Sequence, residues 1–143
     1  MTIERLQYVR CNPLANKLVK IHQEDAGYDL QIMEDVFIEA RCSTELLSTG
    51  LKVQLPDNTV GLIWPRSSLA MKGIETGGGV IDSGYTGEIK LILRNHSDEL
   101  VWLHAGDRVA QLIIQPFVSC WECETTELNS NTRGGKGFGS TGK

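Results

Sequence analysis

A single all-β domain is what this sequence predicts, and three observations carry the prediction. Apolar residues recur at every second position, the apolar runs are short, and turn-forming clusters separate them at close spacing. Leu51-Lys-Val-Gln-Leu55 and Ile89-Lys-Leu-Ile-Leu93 show the alternation most plainly. Further strands are expected at residues 18–21, 28–32, 36–40, 60–64, 100–103 and 109–118, with turns at Pro56-Asp-Asn, Asn95-His-Ser-Asp and Ala105-Gly-Asp. Many short strands at this spacing fit a barrel or a sandwich. Residues 67–72 alone predict a helix, about two turns at most, with a hydroxyl cap at its start and Gly73 as its stop.

The chain has 143 residues, near the size of one domain and enough to bury about two thirds of its unfolded surface. Its net charge of −4 argues against a nucleic-acid or anionic-membrane surface, since those partners require clustered Lys and Arg. No apolar run reaches membrane-spanning length. The first residues carry charges at Glu4 and Arg5, where a secretion signal needs its apolar stretch, so a soluble, intracellular protein is expected. Of Cys11, Cys42, Cys120 and Cys123, the last two form a lone C-x-x-C, and His22, His96 and His104 supply no second pair at zinc-ligand spacing. Ordinary reduced cysteines are the simpler reading.

Glycine clusters recur at Gly77-Gly-Gly79, at Gly84 and Gly87, and in the tail Arg133-Gly-Gly-Lys-Gly-Phe-Gly-Ser-Thr-Gly142. Each of the first clusters reads singly as a tight turn. The tail interleaves Arg133, Lys136, Ser140 and Thr141 with glycines around Phe138, a mixture suited to a phosphate chain and a flat ring. Such a segment buries too little to repay its ordering entropy, so residues 129–143 are expected to be a flexible arm on a domain of residues 1–128. It is not a P-loop: Gly137 follows Lys136 where Ser or Thr is required, and no helix can follow. With no nucleophile elbow or local Cys–His or Ser–His pattern, direct attack of water on phosphorus is the natural enzyme hypothesis.

Five separated segments together resemble the trimeric dUTPase family, in its order and at its spacings. They are Asp25-Ala-Gly-Tyr-Asp-Leu30, Pro65-Arg-Ser-Ser-Leu-Ala70, Gly79-Val-Ile-Asp-Ser-Gly-Tyr-Thr-Gly-Glu-Ile89, Gly106-Asp-Arg-Val-Ala-Gln-Leu-Ile113 and the tail. The sequence departs from many members at Lys136, where they have glycine, and from some at Thr76, where they have asparagine. The resemblance implies a distorted jelly roll and hydrolysis of dUTP to dUMP and pyrophosphate with Mg²⁺. It also implies a homotrimer with shared active sites, and a role in keeping uracil out of DNA and supplying dUMP for dTMP synthesis.

It further implies roles for individual residues. Asp82 would hold the attacking water and meet the sugar 3′-hydroxyl; the bland alternative is a turn-capping Asp. Tyr85 would lie under the deoxyribose where a 2′-hydroxyl would clash, against simple core packing. Arg66, Ser67 and Ser68 would grip the phosphates, Ser67 also serving as a helix cap. Asp29 and Gln111 would act on Mg²⁺ through water, with no direct protein ligand. Thr76, Gly79, Val80 and Ile81 would read the uracil edge, with Lys90 nearby on the next strand. Phe138 would stack on the base, while Arg133, Gly139, Ser140 and Thr141 close over the phosphates as a lid. Two alternatives stand beside this: a dCTP deaminase, disfavoured by the Phe-containing tail, and a dUTP-binding regulatory protein on the same scaffold.

Overall fold

The computed structural model describes residues 5–130 together with 134, 135 and 137. Among them the chain forms two four-stranded antiparallel sheets and one two-stranded ribbon. The first sheet has the order β1 (Gln7–Arg10), β4 (Ser43–Gln54), β8 (Glu88–Asn95), β6 (Ile74–Gly77). The second has the order β2 (Gly27–Gln31), β10 (Arg108–Pro116), β5 (Thr59–Pro65), β7 (Val80–Ile81). The ribbon pairs β3 (Val36–Ile38) with β9 (Val101–Leu103).

Alternation builds the core. In β8 the residues Ile89, Leu91, Leu93 and Asn95 are buried while Lys90, Ile92 and Arg94 are exposed. Leu30, Ile32, Ile38, Thr49, Ile74, Val109, Ala110 and Leu112 from elsewhere in the chain are fully buried with them. Two irregularities break the alternation. The β4–β8 register slips between Ser48 and Lys52, so Thr49, Gly50 and Leu51 are all buried, and Gly50 takes a φ of +68° that favours glycine. The second slip, between Arg108 and Ala110, lets Val109 and Ala110 both face inward just before Gln111.

The helix α1 is shorter than expected, Ser67–Ala70, and its capping differs. Arg66, in extended conformation, is the cap residue, and no side chain caps the helix, so Ser67 does not play that part. Gly73, at φ +81°, ends the following turn as expected. Of residues 18–21 only Val19 pairs, as an isolated bridge to Asp29, and β10 stops at Pro116 because Phe117 turns its N–H to the Asn58 carbonyl. From Phe117 to Ser130 the chain is exposed and without regular structure, and all four cysteines are free and exposed. Segment 76–81 is not a paired hairpin: β6 and β7 belong to different sheets, and Gly78 and Gly79, both at positive φ, carry the chain between them.

Candidate functional site

The centre of the second sheet places the first group of candidate residues. Gln111 on β10 sits between Asp29 of β2 and Trp64 of β5, so the three project in one row from one face. Its Nε2 donates to the Pro65 carbonyl at 3.2 Å. Its Oε1 lies over Gly27, where an added Cβ would come within 2.6 Å of it; glycine there makes room for the amide.

β5 ends at Pro65, and Arg66 therefore leaves the sheet edge beside Asp29. Arg66 Nε lies 3.5 Å from Asp29 Oδ1, and Arg108 Nη1 lies 3.3 Å from Oδ2. Arg66 Nη1 also donates to the Arg108 carbonyl at 3.2 Å. The Asp29 carboxylate is mostly covered, at 14% side-chain exposure, whereas Arg66 and Arg108 remain at 32% and 39%. Two guanidiniums thus hold the Asp29 carboxylate, and Asp25 brings a second carboxylate to the same cleft. Ser67 and Ser68 follow directly, exposed, at the start of α1, where the first N–H groups of a helix have no intrahelical acceptor.

These groups meet in a cleft of about 340 Å³ lined by Asp29, Arg66, Ser67 and Gln111 and also by His22 and Asp25. Size does not select it: a depression of about 580 Å³ along β1 and β4 is larger, but neither carboxylate nor arginine lines it. Chemistry selects the smaller one, because convergent cationic, hydroxyl and amide groups suit a phosphate chain. Arg108, His22 and Asp25 were not among the residues singled out from the sequence, although Asp25 and Arg108 fall inside motif segments already quoted.

The second group lies elsewhere. Thr76 Oγ1 donates to the Ile63 carbonyl at 3.4 Å, and the Ile63 N–H donates to the Gly79 carbonyl at 2.8 Å, fastening both ends of the crossing segment to β5. A Cβ on Gly79 would lie 3.0 Å from the Ile63 oxygen, at a φ of +88°. Val80 is exposed and Ile81 half-buried. Asp82 follows, exposed, at the start of a turn closed by the Tyr85 N–H on its carbonyl at 2.9 Å. Tyr85 is not a core residue; it is 44% exposed, its hydroxyl donates to the Glu88 carbonyl at 2.8 Å, and its ring covers Gly87, where a Cβ would lie 2.5 Å from Oη. Lys90 is exposed on the face of β8 that carries Ile92, the partner of Gly77.

Asp82 and Arg66 are far apart within one chain. Ile81 pairs with Gly61, and Arg66 comes five residues further along the same strand direction. Asp82, one residue beyond Ile81, falls opposite Val60 and six residues from Arg66, which at about 3.3 Å per residue puts the two backbones roughly 20 Å apart. Arg133, Lys136, Phe138, Gly139, Ser140 and Thr141 lie outside the described residues. Among the described residues no three His, Cys, Asp or Glu side chains gather as a metal cage. A cation that keeps its waters and takes its oxygens from phosphate, as Mg²⁺ does, fits this donor set better than one needing several protein carboxylates.

Comparison with known proteins agrees with the fold and with the motif segments. The family model described as dUTPase matches residues 16–142. A deoxyuridine 5′-triphosphate nucleotidohydrolase of Candida glabrata is 47% identical over 120 residues, covering 82% of this chain and 83% of the relative. The dUTPase of Staphylococcus bacteriophage 80alpha, solved with dUPNHPP, superposes with a TM-score of 0.91 at 27% identity, covering 99% of this chain and 100% of that one. A mutant dUTPase from phage phi11 of S. aureus, described with a structural Mg(II) ion, shares the fold with a TM-score of 0.81 at 24% identity, covering 89% and 100%.

Proposed function

The chain belongs to the dUTPase family, and on that premise we propose that it hydrolyses dUTP to dUMP and pyrophosphate at sites shared between subunits of a homotrimer. The observation that carries the reading is the cleft at Asp29, where two arginines hold one carboxylate and Arg66 stands beside Ser67 and Gln111.

The triphosphate binds there. Arg66 and the hydroxyls of Ser67 and Ser68 meet its oxygens, Asp29 fixes the direction of both guanidiniums, and Gln111 is held by Pro65. Asp29 and Gln111 would hold Mg²⁺ through water, and the bound ion would draw negative charge from the phosphates in the transition state. The carboxylate of Asp82 holds the attacking water, takes its proton, and accepts the 3′-hydroxyl of the sugar. The Tyr85 ring, pinned by Glu88 and Gly87, fills the space of a 2′-hydroxyl. Backbone groups of Thr76, Gly79, Val80 and Ile81 read the uracil edge, with Lys90 at the border. Residues 129–143 are read as the closing arm, with Phe138 on the base and Arg133, Gly139, Ser140 and Thr141 over the phosphates.

Distance supports sharing. Arg66 and Asp82 of one chain stand roughly 20 Å apart along β5, whereas the attacking water must be within hydrogen-bond reach of both the carboxylate and the phosphate that the arginine holds. A second subunit brings its own Asp82 segment to the first subunit's cleft, and closed threefold symmetry repeats the arrangement without leaving an open edge. No helix among the described residues is long and apolar enough to cross a membrane, and an intracellular location is part of the same reading. The decisive test is pyrophosphate release from dUTP, UTP, dCTP and dTTP with and without Mg²⁺. Selective, Mg²⁺-dependent turnover of dUTP is expected; comparable turnover of dCTP or dTTP would refute the base-reading assignment, and ammonia release would indicate deamination.

A further inference from the structure

On the side of the fold around the start of β4, three side chains meet that the nucleotide chemistry does not use. Cys42 Sγ lies 3.6 Å from His96 Nδ1, and Glu75 Oε2 lies 3.0 Å from His96 Nε2. The contacts use opposite nitrogens of the ring. In the neutral tautomer whose Nε2–H donates to Glu75, the Nδ1 lone pair faces the thiol. The three groups diverge around the imidazole, so they cannot converge on one metal ion. Nucleophile, base and an orienting carboxylate in that order form the arrangement that activates a thiol.

The backbone holds this arrangement in place. The Cys42 N–H donates to the Asn95 carbonyl at 2.7 Å, and the Arg41 N–H donates to the Ser97 carbonyl at 2.9 Å. Cys42 is thus tied to both sides of His96, and the tight turn requires positive φ at Arg41 and Cys42, 63° and 69°. Asn95 is fully buried and anchors the opposite turn, its Nδ2 donating to the carbonyls of Ile38 and Glu99. The His96 N–H donates to the Gly73 carbonyl at 2.8 Å. Glu75 arrives from β6, one pair along from Ile74 opposite Asn95. Cys42 is exposed, so an electrophile can reach it.

We propose that Cys42 is a modification site, a nucleophilic thiol that reacts with low-molecular-weight disulfides through His96 as base and Glu75 as the residue orienting it. In the step, the Sγ proton passes to His96 Nδ1 and Sγ bonds to one sulfur of the small disulfide. The S–S bond of that molecule breaks, and its departing thiolate takes the proton from His96. One mixed disulfide forms on the chain, one small thiol leaves, and no external oxidant is needed. The reverse exchange with a small thiol restores Cys42.

The other cysteines supply internal controls, because Cys11, Cys120 and Cys123 are also free and exposed. The full-length protein is treated with oxidised glutathione, and separately with uncharged hydroxyethyl disulfide, and the rate at each cysteine is read by peptide mass. Cys42 is expected to react about 10²-fold faster than the other three with both reagents, the low end of general-base assistance. His96→Gln should lower the Cys42 rate to that of the others without changing theirs, and Glu75→Gln should give a smaller loss. Circular dichroism of both variants checks that the fold is kept, and Glu75→Gln carries the test if His96→Gln does not fold. Equal rates at all four cysteines, or a Cys42 rate unchanged in the folded variants, would overturn the proposal. So would a preference for Cys42 seen only with the anionic reagent, which would reduce it to charge steering by Arg41 and Arg94.

Discussion

Arg66 and Asp29 meet across the second sheet, with Nε 3.5 Å from Oδ1, while Arg108 takes the other carboxylate oxygen at 3.3 Å. The pair links the end of β5 to the middle of β2 and fixes a guanidinium at the cleft. Both arginines are about one third exposed or more, so the contribution to stability is screened and amounts to about 1 kcal/mol or less. The same guanidinium stands at the cleft proposed to hold the triphosphate, which is where its larger effect is expected.

Arg66→Gln should therefore separate the two roles. The melting temperature is expected to move by only a few degrees, while kcat for dUTP falls about 10²–10³-fold, as for removal of one preorganised donor at a developing charge. Thermal unfolding and pyrophosphate release measure the two. A variant that melts much earlier yet turns over normally when folded would make Arg66 a structural strut only.

Tyr85 can be tested by splitting its ring from its hydroxyl. Tyr85→Ala removes the ring over Gly87 and should raise the kcat/KM of UTP relative to dUTP by about tenfold or more, because it opens space for one hydroxyl. Tyr85→Phe keeps the ring, loses the bond to the Glu88 carbonyl, and should keep most of the discrimination. An unchanged dUTP/UTP ratio in Tyr85→Ala is incompatible with steric exclusion.

Gly27 makes a subtler prediction. A methyl there would come within 2.6 Å of Gln111 Oε1 and 3.0 Å of its Cβ, so the amide must swing away from the cleft. Gly27→Ala should lower kcat by up to about 100-fold through displacement of Gln111, with stability changed by about 1 kcal/mol in either direction. Gln111→Ala should give a similar loss, and the double variant little further loss. Additive losses would show that Gly27 acts through something other than Gln111.

The strands with clean alternation were legible in the sequence, as Ile89 to Leu93 shows, and so was the stop at Gly73. The first half of β4 was not, because Ser43-Thr-Glu-Leu-Leu-Ser48 is mostly polar and its two leucines are adjacent, Leu46 exposed and Leu47 buried. β1 was not either: all four of its residues are exposed, so it carries no apolar signature. The change of sheet between β6 and β7 is a property of how Gly78 and Gly79 turn in space, which glycine content alone leaves open. Asp29, Arg66 and Gln111 were recognisable as motif residues, but their meeting depends on the β2–β10–β5 register. Arg108 escaped notice for the same reason, since its partner is 79 residues away. The Cys42–His96–Glu75 contact joins three loops and edges, and nothing local in the chain announces it.

The separation of Arg66 from Asp82 along β5 leads to the last prediction. If a site takes its phosphate-gripping cleft from one subunit, its Asp82 from a second and its arm from a third, two different defects can be placed in different chains. Asp82→Asn should keep the trimer and bind dUTP while kcat falls about 10²–10⁴-fold, the range for loss of a general base. Truncation before Arg133 should also leave a trimer, because the removed residues offer little apolar surface, and it should be nearly inactive. When equal amounts of the two are unfolded together and refolded, each site draws its Asp82 and its arm independently from two chains. One half of the draws supplies an intact Asp82 and one half an intact arm, so about one quarter of the sites should work. Pyrophosphate release should then reappear from two inactive parents, in proportion to the mixed trimers counted by native mass spectrometry. A monomer by light scattering, or no recovery in a sample shown to contain mixed trimers, would mean that the chain completes its site alone and that β5 does not divide it.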